Sequence, residues 1–444
     1  MHRLAAFWVS LRASLWFVPT VFVLGAIVTA LVLVEAGRFE PFSQSSLPRY
    51  FGYSAEGSRA MLSAIASSMI TVAGVAFSIT IVALSLASTQ YSPRVLRHFM
   101  RDRGNQTVLG VFVGIFAYCL VVLPMVRGGE EDGYVPALAV AVGVILALVG
   151  VGCLIYFIHH VATAIQPSSI VAAIAAETHN AIDEMFPDSL GAEAESAPDE
   201  LKDMRWRQIP VPYSGMLQLV NEGALLSCAT SRDVVLRMEC HIGDFVIAGT
   251  PLVAVNSPAA DDPEFAAEVA SAFTINRTRT VEQDAAYGFR QIVDIALRAL
   301  SPSLNDTTTA VLCINYLADL LRHAAAREVE SPYRRHEGRL RVIATRANFA
   351  DFVHLAFDQI RESGAANAAI IERLFWAIAH IADEVQSAAR KKVLIEATQS
   401  IGESAQREIK NPATRLALAE RARQVLQFIR TDVTQRNSST PSQD

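Results

Sequence analysis

The chain has 444 residues, of which 52% are hydrophobic and 18% charged, with a formal net charge of −6. That balance is too apolar for an ordinary soluble protein, and the mild negative charge argues against nucleic acid as a partner. Five cysteines (Cys119, Cys153, Cys228, Cys240 and Cys313) stand apart with no C-x-x-C pair, so neither a disulfide framework nor a zinc site follows.

The apolar residues concentrate in the first third, which predicts a membrane part followed by a soluble part. The first span runs from about Leu15 to Val34. Its head, MHRLAAFWVSLRAS, carries Arg3 and Arg12. The apolar run is too long for a typical signal peptide and reads as a retained anchor. Residues 35–59 form a mixed loop whose Phe39, Phe42, Tyr50, Phe51 and Tyr53 suit a membrane interface.

The second span, Ala60 to Gln90, exceeds the roughly 20 apolar residues that a spanning helix needs. It is loaded with small polar residues. Ser67, Thr71, Gly74, Ser78, Ser85 and Thr89 recur at steps of three, four and seven, so they share one helix face. Two readings are open: a tight helix–helix seam or the wall of a wet pathway.

After this span come Pro93 and the cluster Arg94, Arg97, Arg101 and Arg103. The third span covers about Thr107 to Val126 and ends in the acidic hairpin RGGEEDGY. The fourth covers about Val135 to Ile158 and ends in His159 and His160. Adjacent residues face different ways on a helix, so these two histidines suit an interfacial structural role rather than joint metal chelation. Arginines on one side and Glu130, Glu131 and Asp132 on the other place both termini in the cytoplasm under the positive-inside rule. The arginines read either as that topology signal or as a lipid-headgroup site.

A cytoplasmic helix is expected over 162–186, with Pro167 after a break and Ser168 or Ser169 as its cap. An Asp-, Glu-, Ser- and Ala-rich linker follows. Four short runs (PYSGMLQLVN, ALLSCAT, DVVLRMEC and GDFVIAGTPLVAV) then read as strands. The piece HIGDFVIAGTPLVAV resembles the hairpin of biotinyl and lipoyl carrier domains. Carrying needs an acceptor lysine, and Lys202, Lys391, Lys392 and Lys410 all lie outside the module.

Apolar spacing predicts a helix over Val281 to Leu300, with Arg290, Asp294 and Arg298 on one face, able to pair along it. Ser301-Pro302 ends it, and Asn305 or Asp306 caps the next helix near Thr307. Arg279, Gln283, Asp284, Arg290, Asp294, Arg298, Asn305 and Asp306 then either converge on an anionic ligand or serve as caps and ion pairs of a helical hairpin. The remainder to Arg430 reads as a helical bundle, and the tail has no apolar periodicity.

The expected fold is membrane α-helical with four transmembrane helices, plus a cytoplasmic α+β region with a small β-sandwich or barrel module and a helical bundle. Its parts are a transmembrane domain over 1–160, a helical extension and linker over 161–207, a β-rich module over 208–260, a helical domain over 261–430 and a disordered tail over 431–444.

Three stretches, SITIVALSLASTQYSPRVLRHFMRDRGNQTVLGVFVG, YFIHHVATAIQPSSIVA and RTVEQDAAYGFRQIVDIALRALSPSLNDTTTA, resemble the bacterial predicted-membrane-protein family called domain of unknown function 2254. The family pattern has Asn-Asp-Pro where this chain has Asn305-Asp306-Thr307. The resemblance implies architecture and an inner-membrane setting but no activity.

No Gly-rich phosphate loop, nucleophile elbow, H-E-x-x-H or metal-spaced cluster occurs, so no catalytic residue, cofactor or metal is expected. The spans lack the buried charge of a proton relay. A homo-oligomeric ion channel lined by the second span, set in membrane lipid and passing an inorganic ion, needs no such charge. The rival is a membrane-anchored sensor or scaffold whose cytoplasmic part binds a ligand or partner.

Overall fold

The computed structural model describes residues 16–39, 54–90, 102–127, 134–185, 204–281, 283–327, 332–345 and 347–437. The chain divides into two compact units, Met1–Ile170 and Val171–Asp444.

The first unit holds α1 (Phe17–Phe39), α2 (Ala55–Gln90), α3 (Arg103–Val122, continued by a 3₁₀ turn Leu123–Met125) and α4 (Ala137–Ala164). All four are long and apolar enough to cross a membrane. Helix association in lipid relies on close packing rather than on hydrophobic burial, and glycine permits the closest approach. Gly110 and Gly114 of α3, spaced as G-x-x-x-G, take that role against α1. A Cβ on Gly110 would lie 2.9 Å from the Phe22 ring, and one on Gly114 would lie 3.4 Å from the Phe22 carbonyl oxygen. Gly150 of α4 does the same for Met69 of α2 and Ile115 of α3. Leu62, Met69, Phe112, Ile115 and Tyr118 fill the interior. Polar ends are tied to neighbouring backbone: the Tyr118 hydroxyl donates to the Ala139 carbonyl (2.7 Å) and Arg59 Nε to the Val126 carbonyl (2.8 Å).

Two residues separate α4 from α5 (Pro167–Met185). Beyond it lie β1 (Arg207–Pro210), β2 (Gly215–Val220), α6 (Glu222–Ser231), β3 (Leu236–Met238), β4 (Phe245–Val246), β5 (Pro251–Val255), α7 (Pro263–Ser271) and β6 (Phe273–Asn276). Next come α8 (Ala285–Ala299), α9 (Thr307–Ala325), β7 (Tyr333–His336), β8 (Arg339–Ile343), α10 (Phe349–Gly364), α11 (Ala368–Ala382), α12 (Ala388–Glu408) and α13 (Pro412–Asn437). One sheet has the order β1-β5-β3-β8-β7 and the other β4-β2-β6. The two sheets share one apolar core with α6 and α7, built on Leu217, Leu225, Leu252, Val253, Phe265 and Val342. The helices α8 to α13 pack separately, with the Phe289 and Phe352 rings 5.0 Å apart.

Three expectations change. ALLSCAT is helix α6, not a strand: Asn221 caps it by accepting the Ala224 N–H, and its alanines and leucines favour a helix. The β-rich part does not end at 260, because β6, β7 and β8 return to it, β8 lying parallel to β3. The β7–β8 turn is set by Glu337 (φ 50°) and Gly338 (φ 78°), the two positive angles that a type I′ hairpin turn requires. Finally, residues 431–437 continue α13, since extending an existing helix needs only one further hydrogen bond per residue; residues 438–444 lie outside the described residues.

Candidate functional site

All six stripe residues of α2, Ser67, Thr71, Gly74, Ser78, Ser85 and Thr89, are exposed in the single chain. Leu62, Ala66, Met69, Ala73, Ala76, Thr80 and Ala83 form the face that is buried. At about 100° per residue the stripe occupies an arc of about 60° on nearly the opposite side of α2. A Cβ built on Gly74 meets nothing within 4 Å. The stripe is therefore not a seam inside one chain; the seams there use Gly110, Gly114 and Gly150. The Thr71 hydroxyl donates to the Ser67 carbonyl (2.8 Å) and Thr89 to the Ser85 carbonyl (3.1 Å), so these hydroxyls are satisfied by their own helix.

At the start of α3, Asp102 joins two helices. Its Oδ1 accepts the Gly104 N–H (2.8 Å) and caps α3, while Oδ2 lies 2.6 Å from His160 Nε2 at the end of α4. Gly104 leaves room for that ring, since a Cβ there would sit 2.6 Å from His160 Nε2. Tyr156 stacks on His160 at 5.3 Å. Arg103 is exposed beside this pair. Arg94, Arg97 and Arg101, the other headgroup candidates, lie outside the described residues, as do Arg3, Arg12 and the acidic hairpin's Glu130, Glu131 and Asp132.

In the second unit the polar candidates fall into two groups. At the start of α8, Asp284 caps the helix by accepting the Tyr287 N–H (3.0 Å). Arg279 grips the same carboxylate through Nε (2.9 Å) and Nη2 (2.7 Å). Burial raises the Asp284 carboxyl above its ordinary range, and the Arg279 charge opposes that rise. Gln283 accepts the Val220 N–H (3.0 Å), fastening this corner to β2. Gly243 (φ 93°) passes so close to Arg279 and Asp284 that any side chain would collide with both.

Along α8, Arg290 Nε pairs with Asp294 Oδ1 at 3.2 Å, and Arg298 is exposed in the last turn. At the far end, Asn305 takes the left-handed conformation (φ 46°) and Asp306 caps α9. Asp306 accepts both the Thr309 N–H (3.0 Å) and the Thr309 hydroxyl (2.5 Å), which hold its carboxyl below the ordinary range. Fifteen residues of α8 separate the two corners, about 20 Å at the helical rise. Arg279, Gln283 and Asp284 thus gather at one end of α8 and Asn305 with Asp306 beyond the other, while Arg290, Asp294 and Arg298 lie along the helix, so the eight residues do not meet in one cleft.

The sequence reading passed over two further clusters. The G-x-x-x-G of GVFVG signals the α1–α3 seam. His179 and Asp183, with Asp319 and His323, signal a second cluster by matching four-residue spacings. Among the described residues no group of three or more His, Cys, Asp or Glu side chains is placed to hold a metal.

Four helices long and apolar enough to cross a membrane, followed by a unit of two sheets and further helices, define a membrane protein. The chain belongs to the family of predicted membrane proteins known as domain of unknown function 2254, which matches residues 12–380. It is similar to uncharacterized proteins of Mycobacterium tuberculosis (strain ATCC 25618 / H37Rv) and Mycobacterium bovis (strain ATCC BAA-935 / AF2122/97). Each is 30% identical over 439 residues, covering 94% of this chain and 81% of the relative. No solved structure matches the chain.

Proposed function

We propose that the protein is a homo-oligomeric ion channel of the bacterial inner membrane, with the hydroxyl face of α2 lining the pore. In this reading both termini are cytoplasmic, and the C-terminal unit is the assembly and gating domain, with no catalytic role. One observation carries the proposal: Ser67, Thr71, Gly74, Ser78, Ser85 and Thr89 point away from their own bundle. Copies arranged around an axis bring equivalent faces together, so that the small polar stripe lines a shared lumen.

A second reading has its own support. The Thr71 and Thr89 hydroxyls turn back to backbone carbonyls, which suits a dry seam between copies of a membrane-anchored sensor or scaffold. Reconstitution in planar bilayers separates the two. The channel reading expects conductance that Ser78→Leu blocks while assembly is kept. Absence of conductance at every salt, voltage and tension tried contradicts it, and loss of assembly in Ser78→Leu favours the seam.

A further inference from the structure

The helix that follows the last span, α5, is held to α9 by a reciprocal set of histidine–carboxylate contacts. α5 supplies His179 and Asp183; α9 supplies Asp319 and His323, and Arg327 follows just past its end. Residues four apart share a helix face, so the two rows meet side by side. His179 Nε2 lies 2.8 Å from Asp319 Oδ2, and His323 Nε2 lies 2.6 Å from Asp183 Oδ1. Arg327 Nη2 reaches the same Oδ1 at 2.6 Å. The two imidazoles meet edge to face at 4.5 Å.

The rest of the α5 contact is mostly apolar, through Val171, Ile174, Ala175, Ala181 and Ile182. Where α5 meets α8, the buried Thr178 faces Gly288.

We propose that these paired contacts form a pH-sensitive clasp: protonation of His179 and His323 tightens α5 on α9, and deprotonation loosens it. Histidine changes charge between about pH 5 and pH 8. With a neutral imidazole each contact is one N–H donating to a carboxylate. With imidazolium the same N–H to carboxylate contact becomes an ion pair as well. Charge balance points the same way. With the histidines neutral, Arg327 alone opposes Asp183 and Asp319; each imidazolium adds an ion pair at 2.6–2.8 Å, which outweighs the repulsion between the two rings at 4.5 Å because it acts over the shorter distance.

The surrounding charges have partners of their own. Arg322 of α9 pairs with Glu384 after α11 at 2.5 Å, close enough to Asp319 and Asp383 to feel both. On α8, Arg290 pairs with Asp294. Two residues join α5 to α4, so the clasp acts on the element covalently next to the fourth span. It is read from helix contacts alone and stands with or without a pore.

Hydrogen exchange of the full-length protein in lipid nanodiscs tests it, read by mass spectrometry over residues 171–185. Exchange is compared at about pH 5.5 and about pH 8, after correction for the intrinsic pH dependence of the chemistry. The wild type is expected to show about tenfold greater α5 protection in acid, and His179→Gln/His323→Gln to show none of that difference. Equal wild-type protection at both pH values overturns the proposal, as does a double variant that keeps the wild-type response. Should the double variant misfold, Asp319→Asn removes the partner of His179 alone. A reduced pH response then supports the clasp, and an unchanged response overturns it.

Discussion

Alanine at Gly288 tests how α5 is seated on α8. A Cβ there runs into the Thr178 hydroxyl and comes within 2.9 Å of both Thr178 Cβ and Cγ2. Thr178 cannot swing aside into solvent, because it is fully buried and its hydroxyl donates to the Ile174 carbonyl at 2.6 Å. Overpacking of this kind costs about 1–3 kcal/mol. Alanine recovers about 0.5–1 kcal/mol of helix propensity over glycine. The net loss is then centred near about 1 kcal/mol, within a span of about 0–2.5, or a fall in Tm of roughly 2–4 °C at that centre for a unit of this size. Thermal unfolding in detergent, with hydrogen exchange on α5, reads the effect. Thr178→Ala in the same chain removes the hydroxyl and methyl but leaves the Cβ contact, so it restores part of the loss. A Gly288→Ala variant as stable as wild type, with α5 exchange unchanged, refutes this seating of α5.

Other substitutions probe the two capping networks and the α1–α3 seam. Asp306→Ala removes both acceptors for Thr309 and destabilises by about 1 kcal/mol, measured by denaturant unfolding. Because the folded Asp306 carboxyl sits below its ordinary range, its contribution is complete above about pH 4 and fades as pH falls through the folded value. Wild type and variant should therefore converge in acid; a constant gap tells against the Thr309 contacts. Gly243→Ala forces a side chain into the left-handed region and against Arg279 and Asp284. It should increase proteolysis between the β-sheets and α8 and cost more than about 1 kcal/mol. Gly114→Leu should separate α1 from α3, seen as loss of a disulfide crosslink engineered across that seam.

The four spans are legible because length and hydropathy are local properties. The direction in which α2 turns is not, since it depends on which neighbours arrive. Alanines at 66, 73, 76 and 83 make a face about as small as the hydroxyl stripe, and the covered face is the one that sets Leu62 and Met69 against Gly143 and Gly150 of α4. The polar corner shows the same limit. Spacing identifies Asp306 as a cap and Arg290 with Asp294 as a pair, but not that Arg279 and Asp284 lie a helix length from Asn305. In the β-rich part, β3 pairs locally with β5, but its parallel partner lies about a hundred residues downstream in β8, beyond any local signal. Asn221 was the readable cue for α6, as a helix cap ahead of an alanine- and leucine-rich run.

The oligomeric state in detergent or nanodiscs, measured by native mass spectrometry or mass photometry, bears most directly on the channel. The exposed stripe predicts a closed ring of three or more copies, with the α2 faces around the axis. A monomer or simple dimer contradicts it, because no axis then exists for those faces to line.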